Sequence, residues 1–362
     1  MRVRFLLGAA ALSASLALSV AGCSSPPSTG ITPGITPSVT APMTAIREAR
    51  RAGSNMILPV PGRVHRLDAP ARSWMKRSAS SNPLLYVSDY SGNFVNIYSA
   101  NGSGQTPIGQ ITGFNESQGL WVDINQNLWV VNTNTEQIIG FRRGATSPFK
   151  TFNDTSGNFP VGVCGNNNKN LMYAVDIVGQ PPYYLPANTI EVYNKGGSSS
   201  PIETLIDSNA SALYQCAVDS KGNLFVTLTN INSNSGEVDE FAKGSTTPTV
   251  IANNLVYALG ITVDKYNALA VDDTYAHGYP YTEGEVYIYD PPYTYGPAYR
   301  FEVPSGIDQT ALNRQQTQLW GSNAFALDAQ QYSYPPGVLQ NSTSTQDFED
   351  PSGVALSPAA KQ

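Results

Sequence analysis

Histidine and cysteine are scarce in this sequence, and their scarcity argues against several classes of enzyme. The 362 residues include two histidines and three cysteines. His65 lies in a basic, irregular segment, so His277 is the one plausible base for a catalytic triad. The sequence also lacks the G-x-S-x-G motif that would place a serine nucleophile on a sharp turn. The H-E-x-x-H, G-x-x-x-x-G-K-[S/T] and C-x-x-C motifs are missing as well. We therefore expect His277 to be an exposed loop residue.

Charged residues are also few, at 13% of the chain, and they are unevenly distributed. Residues 45–79 contain eight Lys or Arg and two acidic residues, whereas the chain from residue 80 contains 11 basic and 25 acidic residues. Because the larger part is acidic, nucleic acid is excluded as a partner. The basic arm could fold back on the acidic part, meet anionic lipid or lipopolysaccharide, or remain a solvated linker. We favour the solvated linker.

The first 23 residues have the pattern of an export signal. A basic start precedes an apolar run, Phe5–Val20, which is too short and too rich in Ala and Ser to span a membrane comfortably. The ending Val-Ala-Gly-Cys resembles the bacterial lipobox, and this resemblance implies that Cys23 is acylated and anchors the chain without a transmembrane helix. By the same resemblance, Ser24 favours the outer membrane or the cell surface. The alternative is an ordinary signal peptide with an incidental cysteine.

Composition divides the chain into four segments. Residues 1–22 are the signal peptide, and residues 23–44 are a Pro/Ser/Thr-rich tether with too little apolar surface to fold. Residues 45–79 are the basic arm, which we expect to be mostly irregular. Residues 80–362 contain internal repeats and form the folded domain.

The repeat is clearest in residues 119–152. Four short runs rich in Val, Ile, Trp and Phe alternate there with Asn, Gly and Asp, which predicts a four-stranded antiparallel meander of the kind that forms one propeller blade. Its first run recurs along the chain at intervals of 40 to 53 residues. The copies are Gly119–Asp123, Gly162–Asn166, Gln215–Asp219, Gly260–Asp264, a degenerate copy near Asn313–Thr317, and Gly353–Ser357.

The two ends of the domain complete one blade. Three strands near Leu84–Ser88, Phe94–Tyr98 and Pro107–Thr112 lack a first strand, and Gly353–Ser357 is a first strand with nothing after it. We therefore predict an all-β, six-bladed β-propeller in which N- and C-terminal strands share blade 1. Because such a ring leaves only protected edges, we expect a monomer.

The order of these signals resembles a known group of propellers. A GIxVD segment, a short turn, an NLxVx(N/D) segment and a strand ending in aromatic residues resemble the NHL-repeat and gluconolactonase-like six-bladed propellers over residues 82–358. The resemblance implies the fold. It leaves the activity open, since these propellers include both binding proteins and enzymes.

Two cysteines, Cys164 and Cys216, lie in equivalent innermost strands of consecutive blades. An oxidising compartment would preserve a disulfide between them. In the aligned repeats, however, they are one residue out of register and so point to opposite faces of their strands. We expect two buried free thiols, with a disulfide as the alternative.

Loops on one face of the propeller hold the candidate ligand-binding residues. The two longest are rich in tyrosine, and tyrosine with Asn and Asp can stack on sugar rings and bond their hydroxyls. Alternatively, these tyrosines pack on each other and close the face. The candidates are Asp89, Tyr90, Asn132, Asp176, Tyr183, Tyr184, Asn230, Asp272, Asp273, Tyr275 and Tyr279.

Polar residues that end the second strands raise the question of a metal. Asp89, Asp176 and Asp272 could converge on Ca²⁺, but residues of this type also cap turns, and we favour capping. Gluconolactonase-like metal sites combine such an Asp with a Glu and with an Asn before an innermost strand. Here Val161 and Leu259 occupy the Asn position and no Glu matches. No cofactor is therefore predicted, and Ca²⁺ stays an alternative.

These observations lead to two hypotheses from different classes. The first is a lipid-anchored envelope propeller that binds a glycan or an envelope protein through the aromatic face of blades 3 and 5. The second is a metal-dependent lactonase or hydrolase with its site in the propeller channel.

Overall fold

A computed structural model describes residues 72–76, 82–101, 106–156, 159–177, 189–277, 283–304 and 306–360. The predicted lipidation site Cys23, the tether, most of the basic arm, and the loop tyrosines Tyr183, Tyr184 and Tyr279 lie outside these residues. Within them, no helix combines the length and the apolar character that a membrane crossing requires.

The described chain forms six antiparallel sheets arranged as propeller blades. Strands form where β-branched and aromatic residues cluster, and they end at Asn, Asp and Gly, which tolerate turn geometry. In chain order, the first half contains β1 (Trp74–Met75), β2 (Leu84–Asp89), β3 (Phe94–Ser99), β4 (Gly109–Thr112), β5 (Ser117–Val122), β6 (Leu128–Asn132), β7 (Gln137–Phe141), β8 (Pro148–Asn153), β9 (Phe159–Asn166), β10 (Leu171–Ile177), β11 (Thr189–Asn194) and β12 (Glu203–Ile206).

The second half of the chain continues the same pattern. It contains β13 (Ala210–Val218), β14 (Leu224–Asn230), β15 (Gly236–Phe241), β16 (Thr249–Leu255), β17 (Ala258–Val263), β18 (Leu269–Asp273), β19 (Glu283–Tyr289), β20 (Tyr299–Pro304), β21 (Ile307–Leu312), β22 (Gln318–Asn323), β23 (Asp328–Ser333), β24 (Leu339–Ser342) and β25 (Pro351–Ser357). Blades 2 to 6 each use four consecutive strands, beginning at β5, β9, β13, β17 and β21. Innermost strands begin and second strands end on one face, which we call the upper face; the opposite face is the lower face.

Blade 1 closes the ring as predicted. Its strand order is β1-β4-β3-β2-β25, so the C-terminal strand is innermost and pairs with β2 through Leu84 and Ser357. The edge carries an additional two-residue strand, Trp74–Met75, which pairs with β4. This strand comes from the segment that was predicted as a mostly irregular basic arm.

The innermost strand of blade 6 lies before the predicted position. It is Ile307–Leu312, whereas the degenerate copy was expected near Asn313–Thr317. In blade 1, the first residue of the repeat, Gly353, pairs with Ser88 of the second strand. In blade 6 the equivalent pair is Gln309 with Ser322, so the sixth copy of the repeat is Gln309–Asn313. The repeat was hidden because a glutamine stands where most copies have glycine.

The core lies between neighbouring blades. Trp121 and Trp129 of blade 2 pack with Val163 and Met172 of blade 3. Each innermost strand therefore presents one side chain to the preceding blade and the next one to the following blade. As burial of large apolar side chains is the main stabilising term, these layers hold the ring together.

The expectation of free thiols is wrong. Cys164 and Cys216 form a disulfide, with their Cα atoms 5.6 Å apart. Cys164 faces the following blade and Cys216 faces the preceding one, so opposite faces of consecutive strands meet in one core. The one-residue offset between the aligned copies therefore brings the two side chains into the same core and favours the bond.

Candidate functional site

The propeller axis is filled by side chains at the level where the innermost strands begin. Blades 1, 2, 3 and 5 have glycine at this position, and blades 4 and 6 have Gln215 and Gln309. A Cβ added to Gly119 would lie 2.5 Å from the Val161 carbonyl oxygen, so the backbones approach too closely there for a side chain.

Gln309 crosses from blade 6 to two other blades. Its Nε2 donates to the Leu120 carbonyl at 2.8 Å, and its Oε1 accepts from the Leu120 and Val354 N–H groups at 3.0 Å each. A cavity of about 100 Å³ lies nearby and is lined mainly by apolar residues, including Ala359 and Ala360 near the C-terminus. Because this cavity is lined by residues of all six innermost strands, it lies on the axis, and Gln309 crosses the axis at its edge.

A row of aromatic rings crosses the upper face beside this plug. Ring centroids are 5.3 Å apart for Tyr214 and Tyr257, 5.7 Å for Tyr257 and Tyr275, and 6.0 Å for Tyr275 and Phe325. Tyr214 is buried, and the other three rings are half-buried. The row thus consists of one buried ring, Tyr214, and three partly accessible rings. The four residues come from blades 4, 5 and 6 and the loops between them.

Two strand-end residues hold the loops of this row in place. The Asp273 carboxylate accepts from the backbone N–H groups of Val256 at 2.9 Å and Tyr257 at 2.7 Å. Asn323 Oδ1 accepts from the N–H groups of Phe325 at 3.0 Å and Ala326 at 2.8 Å. Such bonds satisfy backbone donors and fix loop geometry, so the aromatic row is pre-formed.

Buried carboxyl groups lie close to the row. Asp272 is fully buried, and its Oδ2 is 2.6 Å from the Thr274 hydroxyl. Burial raises the pKa of Asp272 well above its usual value, and the neighbouring charges of Asp273 and Asp308 add to the effect. Burial likewise raises the pKa of Asp273. These acids are therefore easier to protonate than free aspartate.

Blade 3 contains a second group of acids. The Thr189 hydroxyl donates to Asp176 at 2.7 Å, and the Tyr193 hydroxyl donates to Glu191 at 2.6 Å. Burial raises the pKa of Asp176 strongly, and the charges of Asp154 and Glu191 raise it further. The same causes raise the pKa of Glu191, burial first and then Asp154.

The remaining strand-end candidates accept hydrogen bonds from the backbone of nearby loops. Asp89 accepts from the N–H groups of Gly92 and Glu349 at 2.6 Å, and its pKa is raised by burial to about 6. Asn132 accepts from the Asn115 N–H at 2.6 Å.

Asn230 and Tyr90 are also held locally. Asn230 accepts from the Asn232 N–H at 2.8 Å and donates to Glu237 at 3.1 Å. The half-buried Tyr90 is held by its backbone N–H, which donates to the Asp350 carbonyl at 2.8 Å.

The three weak metal candidates are not assembled as one centre. They belong to blades 1, 3 and 5, and their carboxylates hydrogen-bond close to their own strands. Among the described residues, no group of three or more His, Cys, Asp or Glu side chains is placed to hold a metal ion. His277 is exposed, with Nε2 3.7 Å from the Glu285 carboxylate.

The structure brings together some predicted residues and adds others. Asp272, Asp273 and Tyr275 lie at the aromatic row. Tyr214, Tyr257 and Phe325 complete it and were not singled out from the sequence. A usable signal was present for Tyr214, because it immediately precedes the copy of the repeat that begins at Gln215.

No family model matches the chain, and no curated protein matches its sequence. The fold is shared by many solved structures. A chain in the crystal structure of a nidogen/laminin complex has a TM-score of 0.60 at 13% identity, covering 76% of this chain and 98% of that one. Hydrazine synthase from Kuenenia stuttgartiensis has a TM-score of 0.51 at 14% identity, covering 76% of this chain and 80% of that one.

A functionally unknown protein from Desulfotomaculum acetoxidans has a TM-score of 0.53 at 14% identity, covering 75% of this chain and 98% of that one. At identities this low, the likeness to these structures shows the fold alone.

Proposed function

We propose that this propeller is a binding scaffold that takes a glycan on its upper face. The observation that carries the proposal is the pre-formed row of Tyr257, Tyr275 and Phe325, whose rings are partly accessible and fixed by strand-end caps. Aromatic faces stack on the C–H faces of sugar rings, which is how such a row would hold a glycan.

The charge of the upper face narrows the class of glycan. The described loops that join its strands contain no Lys or Arg, and an exposed cation near them in the described chain is Arg72, at the outer edge of blade 1. Its acidic residues include Glu116, Asp308 and Asp350. An anionic polysaccharide would be repelled by this surface, so we propose that the ligand carries neutral or amino sugars.

A binding assay with paired tyrosine variants tests this function. Tyr257→Ala and Tyr275→Ala should each weaken binding to a neutral or amino-sugar glycan, selected on a glycan array, by about tenfold. Tyr266→Ala is the matched control, because Tyr266 is an exposed tyrosine on the lower face. Equal affinities for all three variants, or no binding across the array, would contradict the proposal.

We also propose that the scaffold is exported and held at the membrane by a lipid on Cys23. The lipobox-like sequence before this residue supports the anchor, and two or more acyl chains bind membranes firmly. Cys23→Ala should move the protein from the membrane fraction to the soluble fraction in a cell fractionation. If the variant stays with the membranes at the wild-type level, the lipid is not the anchor.

We further propose that the repeats are related to those of NHL-repeat propellers, which the recurring GIxVD and NLxVx(N/D) segments support. A gluconolactonase-like activity has less support. Val161 and Leu259 occupy its Asn positions, and Asp89 directs its carboxylate to backbone N–H groups.

A further inference from the structure

The turns that join innermost to second strands form a ring of rigid tips on the lower face. Each begins with an Asp or Asn whose side chain accepts from backbone N–H groups later in the turn. Asp219 Oδ1 accepts from Gly222 at 2.7 Å, and Asp264 Oδ1 accepts from Tyr266 at 2.8 Å. Asn313 Oδ1 accepts from Thr317 at 2.9 Å. In each turn, this hydrogen bond fixes the backbone so that the residues between the capping side chain and the bonded N–H group project into solvent.

The tips of blades 3 to 6 each present one exposed cation. The outer loops of the same face add two more. These six residues are Lys169, Lys221, Lys265, Arg314, Arg142 and Lys243. In the described part of this face the exposed carboxylates are Asp290 in a loop and Glu203 at the lower end of β12, since Asp219 and Asp264 are buried beneath the tips. The lower face is thus cationic on a protein whose net charge is −6.

Apolar and aromatic side chains project from the same loops. The exposed fraction is 57% for Ile124, 72% for Tyr266, 92% for Tyr295 and 61% for Val338. Ile124 and Tyr266 are at turn tips beside the cations, while Tyr295 and Val338 are in outer loops. These side chains lie in loops of blades 2, 5 and 6 that open on the same face, so they are accessible to a surface that covers this face.

We propose that the lower face rests on an anionic lipid bilayer. Lys and Arg near such a surface are attracted by lipid phosphates, and tyrosine with aliphatic side chains partitions into the interfacial region. An anionic polysaccharide in water would use the cations but would gain nothing from Ile124 or Val338, so the combination favours lipid. This orientation turns the acidic upper face and its aromatic row away from the membrane, and it does not depend on acylation.

Vesicle co-sedimentation with the chain from residue 23, carrying Cys23→Ala to remove acylation, tests the proposal. The unlipidated protein should bind vesicles of phosphatidylglycerol mixed with phosphatidylcholine, and bind phosphatidylcholine alone at least tenfold more weakly. A variant with Lys169, Lys221, Lys265 and Arg314 all changed to Gln should lose about fivefold in affinity per residue. Raising the salt concentration should release the protein.

Matched variants separate the lower face from other surfaces. Ile124→Ser with Tyr295→Ser should weaken vesicle binding, whereas Ile231→Ser, at an exposed isoleucine on the upper face, should not. Arg72→Gln is the control for loss of a cation outside the lower face. Thermal unfolding should be the same for all variants, which shows that they are folded.

Three results would overturn the proposal. In the first, the four-residue Gln variant binds phosphatidylglycerol vesicles as tightly as its parent. In the second, changing Arg47, Arg50 and Arg51 in the basic arm abolishes binding while the tip variant retains it, which assigns the lipid to the arm. In the third, soluble polyphosphate binds equally well to the parent and to the Ile124/Tyr295 variant and displaces the vesicles, which identifies a polyanion surface.

Discussion

Two glutamines show how single residues close this propeller on its axis. Four blades bring glycine to the crowded centre, and Gln215 and Gln309 fill the space that remains. Gln309 bonds backbone groups of blades 1 and 2 from blade 6, so one amide connects three blades. Since these groups are buried, they have no ready access to water if the amide is removed.

Gln309→Ala should therefore lower the free energy of unfolding by about 2–4 kcal/mol, because it leaves buried Leu120 and Val354 donors without a partner. Chemical denaturation with urea measures this change. The exposed Gln315→Ala should stay within about 0.5 kcal/mol of the wild type. A Gln309 variant as stable as the Gln315 variant would mean that the axis does not depend on this amide.

At the scale of elements, each innermost strand takes part in two hydrophobic cores, one on each side of its blade. Each strand packs one face on the preceding blade and the other on the following blade. The Cys164–Cys216 disulfide joins two of these strands across a separation of 52 residues. It therefore ties blade 3 to blade 4 covalently at the level of the core.

Replacing both cysteines by alanine should lower the free energy of unfolding by about 2–4 kcal/mol, because the unfolded chain gains the freedom of the opened loop. Urea denaturation of the wild type with and without reductant provides the comparison. Alkylation of the denatured, unreduced chain should modify neither residue. If both thiols react, the disulfide is not formed in solution.

At the scale of the molecule, acidic groups collect on the upper face and exposed cations on the lower face. Many of the acids are buried at strand ends, and burial is the first cause of their raised pKa values. The pKa is about 6 for Asp89 and Glu237, and about 7 for Asp207 and Asp328. Several groups that titrate near neutrality make the stability of the whole ring sensitive to pH.

The sign of this dependence follows from the direction of the shifts. Where the folded pKa of an acid is above its unfolded value, the folded state binds a proton that the unfolded state has released. Stability from these groups is thus complete below about pH 4 and lost as the pH rises through 6 to 7.

We therefore expect the Tm to be about 5 °C higher at pH 5 than at pH 8, as measured by calorimetry. Asp328→Asn should remove part of this difference, raising the Tm at pH 8 more than at pH 5, because the amide stays neutral at both values. A Tm that is constant or higher at pH 8 would show that these acids do not control stability.

The fold was predictable from the sequence to a large extent. Short runs such as Leu128–Val131, separated by turn residues, identify strands because alternation and turn preferences act over a few residues. The unmatched segments at the two ends identified the closure of blade 1. The predicted innermost strand of blade 6 is a few residues too late in the chain, because Gln309 stands where most copies have glycine.

The candidate site was predictable only in part. Asp273 and Tyr275 stand out because Asp273 ends a second strand and Tyr275 lies in the long loop that follows it. Tyr257 and Phe325 do not, because no pattern in the sequence connects either residue with Tyr275, and Tyr214 is marked only by its position before Gln215. Their relation to Tyr275 exists only in the closed ring.

By itself, the sequence determined the strands and the number of blades, since these follow from interactions between residues near one another in the chain. It also indicated how the ring closes, because each end of the domain contains part of a blade that the other end completes. Tertiary structure alone decided that Cys164 meets Cys216, that Gln309 fills the axis and that four rings form one row. These contacts depend on which faces of neighbouring blades meet. Only the packing of blades around a common axis sets that relation.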